Sequence, residues 1–132
     1  MIRNYENPVG TAAVITSTAT PVLVFTSTTS GAPVGGSVVE RRNAITTMAL
    51  CNTNAPNPAD ETLYSIAADI HLVRKGITGG ANVGNKIVSQ LTIPAGETVF
   101  LSEERIVLEN GDEIYITVSA SGLAVTVSAL EV

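Results

Sequence analysis

A chain of 132 residues, 45% of them hydrophobic, can bury one core of ordinary domain size; with 4% aromatics and no Trp, that core must be aliphatic. The net charge of −5 is uneven, with seven acidic residues and one basic (Arg105) from Glu97 onward, and such an acidic surface disfavours a phosphate backbone as partner. No run of ~20 apolar residues could cross a bilayer, the opening MIRNYENPVG lacks the apolar stretch of an export signal, and a single cysteine excludes an internal disulfide framework.

Residues 1–11 read as an extended arm, because Pro8 and Gly10 oppose regular structure. Strands are predicted at 12–17 and 21–27, followed by a flexible loop in STTSGAPVGGS (27–37), whose residues do not pack. A strand within 37–53 bends at Arg42-Asn43 and runs into NTNAPNPADE (52–61), an Asn- and Pro-dense loop. Cys51, at the end of an apolar run, reads as a small buried hydrophobe. TLYSIAADIHLVRKG (62–76) is the longest strand. Alternation puts Ile66, Ala68, Ile70 and Leu72 on one face and Ala67, Asp69, His71 and Val73 on the other. GITGGANVGN (76–85) has no helix after it to carry a phosphate, so it reads as a flexible hairpin connection. KIVSQLTIP (86–94) is a strand stopped by Pro94, and AGETVFLS (95–102) turns into another. In residues 104–132 a short strand, a turn at Asn110-Gly111, a strand, a turn at Ser121-Gly122 and a last strand follow one another. Asn-Gly is a strong hairpin signal.

No window supports a long helix, and eight or nine short strands remain. The expected fold is all-β: an antiparallel β-sandwich, jelly-roll-like, with an extended N-terminal arm. The arm and first strands occupy 1–36 and the sandwich core 37–132. Ile66, Ile70, Leu72, Leu91, Ile93, Ile114, Ile116, Val118, Val125 and Val127 are expected to be buried, with Phe100 also in the core.

Residues that could do chemistry are few. Asp69 and His71 share a strand face, but no nucleophile can be placed beside them, and one His with one carboxylate is too few ligands for a metal. Glu103-Glu104 and Asp112-Glu113 could approach each other, as paired carboxylates do in Ca²⁺ sites and glycosidases. Adjacent strand residues point to opposite faces, however, so each pair offers one group per face. Arg41-Arg42 and Arg74-Lys75 have no interleaved aromatics and read as solvated strand ends. The expectation is a non-enzyme without catalytic residues, metal or cofactor.

The segment LTIPAGETVFLSEERIVLENGDEIYITVSASGLAVTVSALEV (91–132) resembles the C-terminal half of small tailed-phage virion proteins, which share IPAGET followed by alternation around a GD turn and a V.VSG.E ending. ITTMALCNTN (45–54) and IAADIHLVRKG (66–76) resemble their preceding strands. The chain departs from the pattern at Ala129, where the family often has Gly, and in a longer Thr/Ser-rich N-terminal region. The resemblance implies a virion β-sandwich assembled in the host cytoplasm, with a capsid decoration (cement) role. A neck, tail or fibre component, or a carbohydrate-binding module for host attachment, is the alternative. Its partners would be the major capsid protein or other virion proteins, with neither nucleic acid nor membrane, and the implied oligomer is a homotrimer. The arm is expected to order on a neighbour through Val9, Val14, Ile15, Val22 and Val24.

Overall fold

Alternation of aliphatic with small or polar residues makes strands that each bury one face. The computed structural model describes residues 9–16, 18–28, 33–34, 37–38, 42–102 and 106–131. Its strands are β1 (Val9–Ile15), β2 (Val22–Thr26), β3 (Pro33–Val34), β4 (Ser37–Val38), β5 (Arg42–Asn52), β6 (Ile66–Val73), β7 (Lys86–Ile93), β8 (Thr98–Leu101), β9 (Val107–Glu109), β10 (Glu113–Val118) and β11 (Leu123–Glu131). The helical content of the described residues is one 3₁₀ turn, Val83–Asn85.

Two antiparallel sheets face each other. The first runs β1-β11-β5, with β8 and β9 lying end to end along the free side of β5; the second runs β2-β10-β6-β7. β3 and β4 form a separate two-residue ribbon. With β8 and β9 counted as one interrupted strand, the long strands switch sheets at every step except the β6–β7 hairpin, and this order is that of a jelly roll. The fold class read from the sequence is therefore the one observed.

The core lies between the sheets. Ile66, Ile70, Ile93, Ile114, Ile116, Val118, Val125 and Val127 are buried as expected, together with Phe25, Met48, Leu50, Leu108 and Leu123. Leu72 and Leu91 are half-buried and pack on the edge of this cluster. Leu91 directly follows the irregularity in the β6–β7 pairing at residues 89–90. Cys51 is half-buried, because its neighbours Leu50 and Asn52 take the inward positions of β5. Phe100 is 64% exposed, contrary to expectation: Val99 and Leu101 take the inner face of β8 and turn it outward.

Two turn expectations need correction. Asn110-Gly111 does not close a hairpin, since β9 pairs with β5 in one sheet while β10 pairs with β2 and β6 in the other. It is a corner between sheets. Asp112 N donates to the Glu109 carbonyl (3.0 Å) and Gly111 sits at φ +93, where a side chain would be strained. A Cβ there would also lie 2.7 Å from Lys75 Cδ. Likewise, β10 and β11 do not pair across Ser121-Gly122; they lie in opposite sheets.

The N-terminal strands also depart from the expected arm. β1 pairs along its length with β11, and β2 pairs with β10. Ile15 (1% exposed) and Val24 (4%) are core residues of this same chain, so they are not available to a neighbour, and Val22 packs on the core edge. Of the five proposed contact residues, Val14 is outward-facing at 59% exposed, while the Val9 side chain lies outside the described residues. Residue 36 thus marks no structural boundary: strands on both sides of it build each sheet. The reason is register, because β1 and β2 supply apolar residues that edges of both sheets need.

Candidate functional site

The polar residues singled out from the sequence resolve into separate structural devices. Asp69 and His71 do share the outer face of β6, but they do not bond to each other. Asp69 accepts from the Gln90 amide (2.7 Å) and pairs with Lys86 (3.1 Å). Gln90 sits at φ +58 within the irregular pairing of β7, so the carboxylate holds a bulge in place. The Gln90 amide, opposed by burial and aided by Lys86, keeps this carboxyl below the usual carboxylate range.

His71 is 5% exposed. Its Nδ1 lies 2.9 Å from the Asn82 carbonyl and 3.2 Å from Asn85 Oδ1. A carbonyl can only accept, so Nδ1 carries a proton, and Nε2 lies 3.3 Å from the Thr117 hydroxyl. The glycine-rich 76–85 connection is thereby tied to the second sheet. Asn82 and Asn85 cap its 3₁₀ turn reciprocally: Asn82 Oδ1 accepts from Gly84 N (2.7 Å) and Asn85 Oδ1 from Asn82 N (2.9 Å). The flexible connection expected from four glycines is a hydrogen-bonded cap on His71.

Two further clusters join residues that the sequence did not bring together. Asn52 is fully buried; its Nδ2 donates to the Tyr64 (2.8 Å) and Ile93 (2.9 Å) carbonyls, and its Oδ1 accepts from Asn54 N (3.0 Å). One side chain thus bolts β5 of the first sheet to both ends of the β6–β7 hairpin. Asp112, 2% exposed, accepts from Lys75 N (2.9 Å), Glu109 N (2.9 Å) and Arg74 (2.6 Å). Burial pushes this carboxyl up, but the Lys75 amide, the Arg74 guanidinium and the Glu109 amide outweigh it and hold it below the usual range. The signal was present: Asn-Gly and Asn-Thr-Asn mark corners that need side-chain acceptors and donors.

Glu103 and Glu104 lie outside the described residues. Asp112 and Glu113 diverge, Asp112 inward and Glu113 toward Tyr115 Oη, which donates to it at 3.4 Å. No group of three or more His, Cys, Asp or Glu that could hold a metal occurs among the described residues. No helix there is long and apolar enough to cross a membrane.

Among the described residues the surface also carries apolar features. Along the open side of the sandwich, between the β7 edge and β8–β9, Ile45, Met48, Ile70, Leu101 and Ile106 floor an apolar cleft of about 270 Å³. Ile87 (42% exposed), Val107 (40%) and Arg74 also line it. Leu63 (42%) and Tyr64 (57%) stand out from the 53–65 loop.

No family model, curated protein or solved structure matches this chain.

Proposed function

We propose that this chain is a structural protein of a tailed-phage virion, a capsid decoration protein that stabilises the head through contacts with the major capsid protein. The observation that carries it is how the buried polar side chains are used. Asn52, His71 and Asp112 all bond within the chain, to corners and connections, and none of them reaches into the apolar cleft. Three buried polar side chains committed to holding loops suit a protein that works by surface contact. The jelly roll is a fold used in viral shells and in lectins, so it agrees with the reading by analogy alone. The resemblance of 45–132 to virion proteins adds the particle. Self-association, as a trimer at three-fold positions, belongs to the same proposal.

The test is addition of full-length protein to undecorated capsids. Saturable binding at hundreds of copies, with a rise in particle melting temperature, is expected. A few copies at the tail with no change in capsid melting would reject decoration in favour of a neck or tail role.

Phe100 favours a second reading. An aromatic ring 64% exposed on an outer sheet face is a platform on which sugar-binding modules stack their ligands. Glycan-array binding that is lost in Phe100→Ala would replace decoration by host attachment.

A further inference from the structure

An antiparallel sheet with one face in the core normally turns a polar face to water. The two outer faces of this sandwich differ in that respect. The second sheet carries Asp69, Lys86, Glu113 and Tyr115 on its outer face, with Asp69 and Lys86 paired at 3.1 Å. Along the outer face of the first sheet, β1-β11-β5-β8, no described side chain is charged until the Arg42–Glu109 pair where β5 begins. Strand register lines up what stands there instead. Val14, Ala124, Cys51 and Thr98 form one row across the four strands. The next row runs from Ala12 through Thr126 and Ala49 to Phe100. Val14 and Phe100, both exposed, therefore stand on the two edge strands, and the middle strands present small side chains.

Size, charge and relief say what covers this face. Four strands about 4.8 Å apart, and the nine residues of β11 at about 3.4 Å each, make it about 19 Å by 30 Å. Two copies stacked on it would remove about 1,100 Å² from water together, above the roughly 1,000 Å² that a specific interface requires. The chain carries a net charge of −5, so copies repel where their charged surfaces meet, and on this face they do not. A charged partner finds no complement on it. The relief is self-complementary. A two-fold axis parallel to the strands, between β11 and β5, sets β8 of one copy over β1 of the other. Register then places Val14 over Thr98 and Phe100 over Ala12, so each bulky residue meets a smaller one.

We infer that two copies of this chain pair through the outer face of the β1-β11-β5-β8 sheet, as an isologous dimer of stacked sheets. The contact is separate from the three-fold association proposed above and does not depend on the virion reading. Because it buries Phe100, it and the glycan reading exclude each other.

The test uses the full chain in sedimentation equilibrium, with circular dichroism to check folding. A second readout is the rate at which N-ethylmaleimide modifies Cys51, the single cysteine, which lies in the first row of the face. The parent should show a micromolar monomer–dimer equilibrium, and Cys51 should react several-fold more slowly as dimer forms. Thr126→Lys and Thr126→Glu each put a charge at an exposed position beside Ala49, on a face that the core does not use. Each should fold like the parent, associate roughly tenfold or more weakly, and keep Cys51 reactive. Mixed in equal amounts they should associate again, because opposite charges then meet across the two-fold. Thr92→Lys, at an exposed position on the outer face of the second sheet, should change neither readout. A parent that stays monomeric would overturn the inference. So would Thr126 variants that dimerise like the parent, a Lys–Glu mixture no tighter than its components, or an equal loss in Thr92→Lys.

Discussion

Replacing Asp112 with Asn probes the corner that passes the chain from β9 to β10. The Asp112 carboxylate receives three donors: Lys75 N on Oδ1, and Glu109 N with the Arg74 guanidinium on Oδ2. In Asn one of these oxygens becomes an NH₂ group. Pointed at the Oδ2 position, it meets two donors; pointed at Oδ1, it meets one. The better choice still orphans the Lys75 amide, which costs about 1–3 kcal/mol. Loss of the charge weakens the pair with Arg74 by about 0.5–1 kcal/mol, discounted because the Arg74 side chain is half exposed. The expected destabilisation is about 2–4 kcal/mol at pH 7, a drop in melting temperature on the order of 10 °C for a chain of this size. The pH dependence has a definite sign. The folded pKa is depressed, so the carboxylate's contribution is complete above the unfolded value of about 4 and disappears as pH falls through the lower folded value. The gap between parent and Asp112→Asn should therefore be full at neutral pH and close below about pH 4. Urea unfolding followed by circular dichroism, repeated down the pH series, measures it. Equal stability at pH 7, or a gap that persists unchanged into strong acid, would refute the role given to Asp112.

Four other outcomes follow from the same packing. Gly111→Val should cost about 1–3 kcal/mol from φ strain, with the Lys75 stem forced aside; melting at the parental temperature would show that Gly111 does not hold φ +93. Ile116→Ala, at a fully buried position in β10, should cost about 2–5 kcal/mol in equilibrium unfolding. Asn52→Leu should destabilise by about 2–4 kcal/mol, because the Tyr64 and Ile93 carbonyls and Asn54 N lose their partner; unaltered urea unfolding would contradict the bolt between sheets. His71→Ala should speed hydrogen exchange across 76–85 while barely changing that of β11 in the other sheet, since the ring's partners are Asn82, Asn85 and Thr117.

Strand identity was legible in the sequence, and so was the inward face of β10. Period-two alternation in residues such as Ile114-Tyr115-Ile116-Thr117-Val118 allows one face to be apolar, and an aliphatic composition leaves few alternatives to a sandwich. Partner choice was not legible. Asn110-Gly111 and Ser121-Gly122 have local chemistry suited to tight turns, and that chemistry is the same whether the next strand pairs with the last or crosses to the opposite sheet. Long-range pairing decided it: β10 found β2 and β6, and β11 found β1 and β5. The same non-local pairing drew β1 and β2 out of the expected arm and buried Ile15 and Val24. It also turned Phe100 outward, because alternation specifies two faces without saying which one meets the core when both flanks, Val99 and Leu101, are apolar too. The apolar cleft belongs wholly to tertiary structure: Ile45, Ile70, Ile87 and Val107 lie on four different strands, and they line one hollow only because the two sheets stack.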